Sequence, residues 1–172
     1  MATIQRRIEL ERERVYLAEV LKEASNTAGR GEKIALLRSF QNKSPETKKV
    51  VQKFMECLCH PKVVFELPSG IPPFKDGEYN DFNNSPTTLL KAFDKVKYFC
   101  RCPSFVENKV KRERIFIQIL EGLYIEDANL FCMIKDKAID AKVYPTITEK
   151  LLREAFPGIV PDDKWEAPEG EA

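Results

Sequence analysis

The chain has 172 residues, enough for one domain with a core, and 43% of them are hydrophobic, with 11 Phe and 5 Tyr, which excludes a globally disordered polymer. No run approaches the ~18 apolar residues of a membrane span, and charges fill the N-terminal stretch where a signal peptide needs an apolar one, so the sequence predicts a cytoplasmic protein without membrane contact. The net charge of +1 is unevenly spread: residues 160–172 carry Asp162, Asp163, Glu166, Glu169 and Glu171 against Lys164, a net of −4, which leaves +5 on residues 1–159.

Residues 3–25 read as a helix from Ile4, Ile8, Val15, Leu17, Val20, Leu21 and Ala24 at mixed three- and four-residue spacing. Its first part, residues 1–14, is dense in charge and is expected to form an extension, solvated or paired with a second copy. A turn over Asn26–Gly31 precedes a second helix over 32–41, with Ile34, Leu37 and Phe40 on one face. Ser44-Pro45 supplies an N-cap and a proline at the first helical position, starting a helix that runs to Cys59 and stops before Pro61. A short extended piece follows at Lys62–Leu67. Next comes a long loop, 68–84, rich in Pro, Gly and Asn, which Ile71, Phe74, Tyr79 and Phe82 are expected to pin to the body. Ser85-Pro86 predicts another helix start, reaching Phe99, and Asn108–Leu123 and Glu126–Lys137 read as helices. Thr146 and Glu149 form an S/T-x-x-E capping box for a last helix to Phe156. The expectation is one all-α domain of seven or eight helices over 15–161, with an acidic disordered tail at 162–172. That tail is either a solvated end or a competitor of nucleic acid for the basic face.

Enzymatic chemistry has little to stand on. Cys57-x-Cys59 and Cys100-x-Cys102 miss the two-to-four-residue spacing of structural zinc sites, so the five cysteines read as reduced thiols. The single histidine, His60, stands at a helix end before Pro61 and reads as a capping residue. Glu126-Asp127 at a helix start complements the helix dipole. No metal, cofactor or catalytic residue is expected. The basic residues instead repeat near helix starts: Lys109, Lys111, Arg112 and Arg114 on one, and Lys135, Lys137, Lys142, Lys150 and Arg153 around the last. A capped helix start among lysines suits an anion, because unpaired backbone N–H groups and the dipole both favour it. Together these residues suit contacts to a phosphate backbone more than the reading of bases.

The closing segment carries a resemblance. Lys135-Asp136-Lys137, a connector, and a capped helix ending in Phe156-Pro157-Gly158-Ile159-Val160-Pro161 resemble the end of the N-terminal helical DNA-binding domain of T-even-type phage DNA ligases. Leu17–Phe40 is similar to that domain's two opening helices, and Phe65–Pro68 to the end of its third. Over residues 15–161 the chain also resembles a family of small uncharacterised proteins of T-even-like phages, cyanobacterial ones included. The features that carry this likeness are the Pro-rich loop, Ser85–Leu90, Lys111–Ile117 and the ending.

The adenylation motif K-x-D-G is absent, since Lys75-Asp76-Gly77 lacks the spacer, and the chain is too short for a nucleotidyltransferase and an OB domain. The resemblance therefore implies a free-standing relative of the DNA-gripping module, without the enzyme and acting in a host-cell cytoplasm. Its ligand would be duplex DNA, intact or nicked, held across the minor groove through Lys135, Lys137, Lys142, Thr146, Thr148 and Lys150, with Lys111 and Arg112 added from the basic helix. The connector departs from the ligase pattern at Val143-Tyr144-Pro145. A second expectation is a protein-binding module, facing a phage or host replication or transcription protein, that keeps the fold without DNA.

Overall fold

The computed structural model describes residues 16–75 and 85–159. The charged extension over 1–14, the acidic tail over 162–172, and Tyr79 and Phe82 lie outside the described residues. Within them the chain folds into seven α-helices: α1 Leu17–Asn26, α2 Arg30–Gln41, α3 Pro45–Cys59, α4 Leu89–Phe93, α5 Lys109–Gly122, α6 Ile125–Lys135 and α7 Glu149–Ala155. A single 3₁₀ turn occupies Val96–Tyr98.

The best-marked boundaries follow local chemistry. Ser44 caps α3 through a capping box: its Oγ accepts the Thr47 N–H while Thr47 Oγ1 accepts the Ser44 N–H, with Pro45 at the first position. Asn108 Oδ1 accepts the Lys111 N–H and starts α5. His60 is the C-cap of α3, its backbone N–H donating to Glu56 O and its Nδ1 accepting the Lys62 N–H.

Helix α6 is the centre of the molecule, packing against α1, α3 and α5. Ala128, Leu130, Phe131, Cys132 and Ile134 are all buried, the pattern of a helix enclosed on every side. Phe131 anchors an aromatic cluster, stacked on Phe116 at 5.4 Å between centroids and edge-on to Phe93 at 6.0 Å and Phe65 at 6.2 Å. Edge-to-face pairs of this kind add about 0.5–1.5 kcal/mol beyond the area they bury. The extended segment through Phe65 crosses this cluster, fixed by the Glu66 N–H donating to Phe99 O.

Two expected helix starts move. The helix expected from Ser85-Pro86 begins only at Leu89, where Thr88 Oγ1 accepts the Lys91 N–H, and it ends at Phe93. The 3₁₀ turn that follows places Val96 and Phe99 together in the core at a three-residue spacing. The capping box expected at Thr146 does not form: Thr146 has φ 67°, in the left-handed region, whereas an N-cap takes an extended backbone. Thr148, at φ −112° and ψ 159°, caps α7 by accepting the Leu151 N–H. Of the residues expected to pin the long loop, Phe74 packs half-buried on the core, but Ile71 is 60% exposed.

Candidate functional site

The K-D-K end of α6 is tied to neighbouring segments, with Lys135 buried, Lys137 half-buried and Asp136 exposed. Lys135, expected at the phosphates, has a side chain only 2% exposed. Its Nζ donates to Pro68 O at 2.6 Å and to Asp136 Oδ1 at 2.6 Å, and Asp136 Oδ2 accepts the Gly70 N–H at 2.9 Å. The reason lies in the helix: α6 is central, so a lysine on its last turn faces the Pro68–Gly70 loop.

Lys137 follows at φ 52°, where the Lys137 N–H donates to Ile134 O and the Ala138 N–H to Met133 O. This is a Schellman motif with lysine in the left-handed position that glycine usually takes. Its Nζ donates to His60 O, tying the end of α6 to the end of α3. Burial holds its ammonium below the ordinary 10.5, while the nearby Cys57, Cys59 and Cys100 push the other way. Those thiols are themselves raised by burial, Cys57 to about 12 and Cys59 and Cys100 to about 11, so thiolate chemistry is disfavoured there.

Arg112 is also spent inside. Its guanidinium donates to the carbonyls of Glu66 at 2.7 Å, Val106 at 2.8 Å and Glu107 at 3.2 Å, and it lies 4.8 Å from the Phe105 ring centroid. Thr146 Oγ1 accepts from the buried Lys33 Nζ at 2.6 Å, and Lys33 also reaches Ser25 O at 3.4 Å. With Thr148 used as the α7 cap, the anion site expected there loses its basis. The helix has seven residues and its first-turn N–H of Leu151 is already taken. Of the eight residues expected to touch DNA, Lys111, Lys142 and Lys150 are exposed cations.

Lys111 belongs to the more informative of the two basic regions. Lys109, Lys111 and Arg112 all stand in the first turn of α5, which holds no acid. This runs against the dipole, which favours anions at a helix start and disfavours each cation by about 0.3–1 kcal/mol. Lys109, Lys111 and Arg114 point to solvent, and Lys109 has Glu113 as a counter-ion at 3.9 Å. Arg101 closes the region from the preceding turn, 4.4 Å from the Phe105 centroid and paired with Glu66 and Glu107 at 3.4 and 3.8 Å. Two guanidiniums on one ring escape a reading of the sequence, since Arg101, Phe105 and Arg112 show no common spacing.

A buried carboxyl escapes it as well. Glu126-Asp127 is expected to complement the dipole of its own helix. Both do stand in the first turn of α6, and each has a second contact: Glu126 reaches Lys22 at 3.0 Å, and Asp127 turns inward, 2% exposed, where its Oδ1 accepts the Ala18 N–H of α1 at 3.2 Å. Burial raises its carboxyl from 3.8 to about 7, opposed by that N–H and helped by Glu19 and Glu126.

The fold and these sites define a compact all-helical domain, with a cation-rich helix start on its surface and the two lysines of its K-D-K motif donating to backbone carbonyls of the fold. The family of unknown function DUF6433 matches residues 20–141, and the chain belongs to that family. Neither the curated proteins nor the solved structures contain a match to it. Among the described residues no helix is long and apolar enough to cross a membrane.

Proposed function

We propose that this domain is a non-enzymatic accessory of phage DNA replication or repair that binds duplex DNA through its phosphates, with the start of α5 as the contact. The observation that carries the reading is the set of cations in the first turn of α5, placed where they weaken the helix unless an anion sits beside them. A phosphate there would answer the dipole, Lys109, Lys111 and Arg114 together. The phage setting and the ligase-like grip rest on the sequence resemblance. The grip itself is narrowed to Lys142 and Lys150, because Lys135 and Arg112 are committed to internal carbonyls.

Fluorescence anisotropy of labelled duplex, nicked and intact, across a salt series tests this. Each lost phosphate contact lowers the salt slope by about 0.9. Lys111→Glu with Arg114→Glu is expected to weaken binding more than tenfold and to lower the slope by roughly two. Lys142→Glu with Lys150→Glu measures the part played by the ligase-like ending. Folded protein that fails to bind at low salt overturns the proposal.

The protein-binding alternative is favoured by a different observation. Val110, 65% exposed, stands within the basic start of α5, and Val143, 42% exposed, stands beside Lys142. An apolar residue inside each basic region suits an acidic protein surface. Capture of a phage or host replication protein that survives charge reversal at Lys111 and Arg114 would replace the DNA reading with this one.

A further inference from the structure

Residues 91–114 hold eight Lys and Arg against three acids, a net of +5 that equals the whole surplus of residues 1–159. The start of α5 is only the second half of that stretch. The first half is a turn that closes back on it, with the Val106 N–H donating to Tyr98 O at 3.0 Å. Lys95, Lys97 and Arg101 are exposed there, and Lys97 Nζ stands 5.5 Å from the centroid of the Tyr98 ring.

Arg101 differs from the other cations of the stretch. Its charge is already answered, with Nε donating to Glu66 Oε1 at 3.4 Å and Nη1 lying 3.8 Å from Glu107 Oε2. Those contacts occupy the edge of the guanidinium. One face lies over the Phe105 ring, 4.4 Å from its centroid, and the side chain is 66% exposed, so the opposite face meets solvent. A phosphate would compete with two carboxylates for this group. A nucleobase would not, because it stacks on the plane and leaves the edge as it is. A base inside a duplex has neighbours on both faces, so only an unpaired base has a face to offer.

The plane stands next to the duplex contacts. Arg112, in the first turn of α5 with Lys109 and Lys111, lies over the same ring at 4.8 Å. We propose that Arg101, seated on Phe105, is a stacking platform for an unpaired base of a DNA strand that leaves the duplex held by the start of α5. The preferred ligand is then duplex DNA with a single-stranded end, and Lys95 and Lys97 stand beside the phosphates of the departing strand. This rests on the reading of α5 as a phosphate contact.

Fluorescence anisotropy of the full chain tests it on a blunt duplex, on the same duplex with a short oligothymidine overhang, and on that duplex with an abasic overhang of equal length, which keeps the phosphates and lacks the bases. The thymidine overhang should bind at least about fivefold tighter than the abasic one, with the same salt slope, because the phosphates are equal in number. Arg101→Lys, at an exposed position, keeps the charge and removes the plane; it should bring the thymidine overhang down to the affinity of the abasic one. A preference that survives Arg101→Lys, or equal binding of the two overhangs by a wild-type protein that does bind the blunt duplex, overturns the platform and leaves the α5 reading standing. Failure to bind any of these DNAs at low salt overturns the α5 reading and the platform with it.

Discussion

Replacing Asp127 with asparagine should stabilise the protein above neutral pH and change little in acid. Asp127 is buried at the first turn of α6 and accepts the Ala18 N–H with one oxygen. The amide side chain keeps that acceptor and nearly the same shape, and it removes the charge. The folded carboxyl sits at about 7 against an ordinary 3.8, because burial disfavours its ionised form. The groups around it deepen the effect: Glu19 and Glu126 raise it, and it is felt by Tyr124 and Tyr144. A group whose folded pKa lies above its unfolded value stabilises fully below the unfolded pKa. It loses that contribution as pH rises through the folded one. Wild-type stability should therefore fall between about pH 4 and 7 from this residue. A shift of about three units at about 1.4 kcal/mol each sets an upper figure of roughly 4 kcal/mol. Water penetration and relaxation reduce it, so about 1–3 kcal/mol is expected at pH 8, or about 2–12 °C in Tm for a chain of this size. Thermal unfolding of both proteins from about pH 5 to 8.5 measures it. A Tm difference that does not widen with pH would refute the argument, because a purely steric effect of the substituted side chain has no reason to track proton binding.

Two further substitutions separate structure from binding. Lys135→Ala leaves the exposed Asp136 and Pro68 O without their donor and should cost about 1–3 kcal/mol in denaturant unfolding, while the DNA affinity of the folded fraction stays unchanged; a selective loss of affinity would return Lys135 to the contact surface. Thr148→Ala should cost about 1 kcal/mol as the loss of an N-cap; a neutral Thr148→Ala would return the cap to Thr146.

What the sequence could reveal was set by how local each cause is. Helix α3 is announced by Ser44-Pro45 and α5 by Asn108, because a cap and its N–H partners lie within four residues. Thr146 and Thr148 both offer a hydroxyl three residues before a helical N–H, and nothing nearby chooses between them. The choice is made by Lys33, which is 113 residues away in sequence and holds the Thr146 hydroxyl. The same holds for Lys135. A lysine on the last turn of a helix is exposed by default, and only the central position of α6 buries it. The residues around it, A-N-L-F-C-M-I, are apolar over nearly the whole circumference, a signal of an enclosed helix that the basic end obscured. Asp127 was hidden for the complementary reason: acids at a helix start fit the dipole so well that a second duty, capping another helix, leaves no mark.

These placements bear on which lysines remain available to a partner. A cation that already satisfies carbonyls in the interior cannot leave them for a phosphate without exposing acceptors, so Lys135 and Arg112 are fixed by the fold. A cation at a helix start with no acid in its turn is in the reverse position, because it gains by meeting an anion. The stretch that places the chain in its family, residues 20–141, runs through the start of α5 and ends before Lys142, Thr146, Thr148 and Lys150. If the family has a shared ligand, the residues inside that stretch have the first claim on it. That favours Lys109, Lys111 and Arg114 over the closing segment, and it makes charge reversal on α5 the sharper of the two DNA experiments.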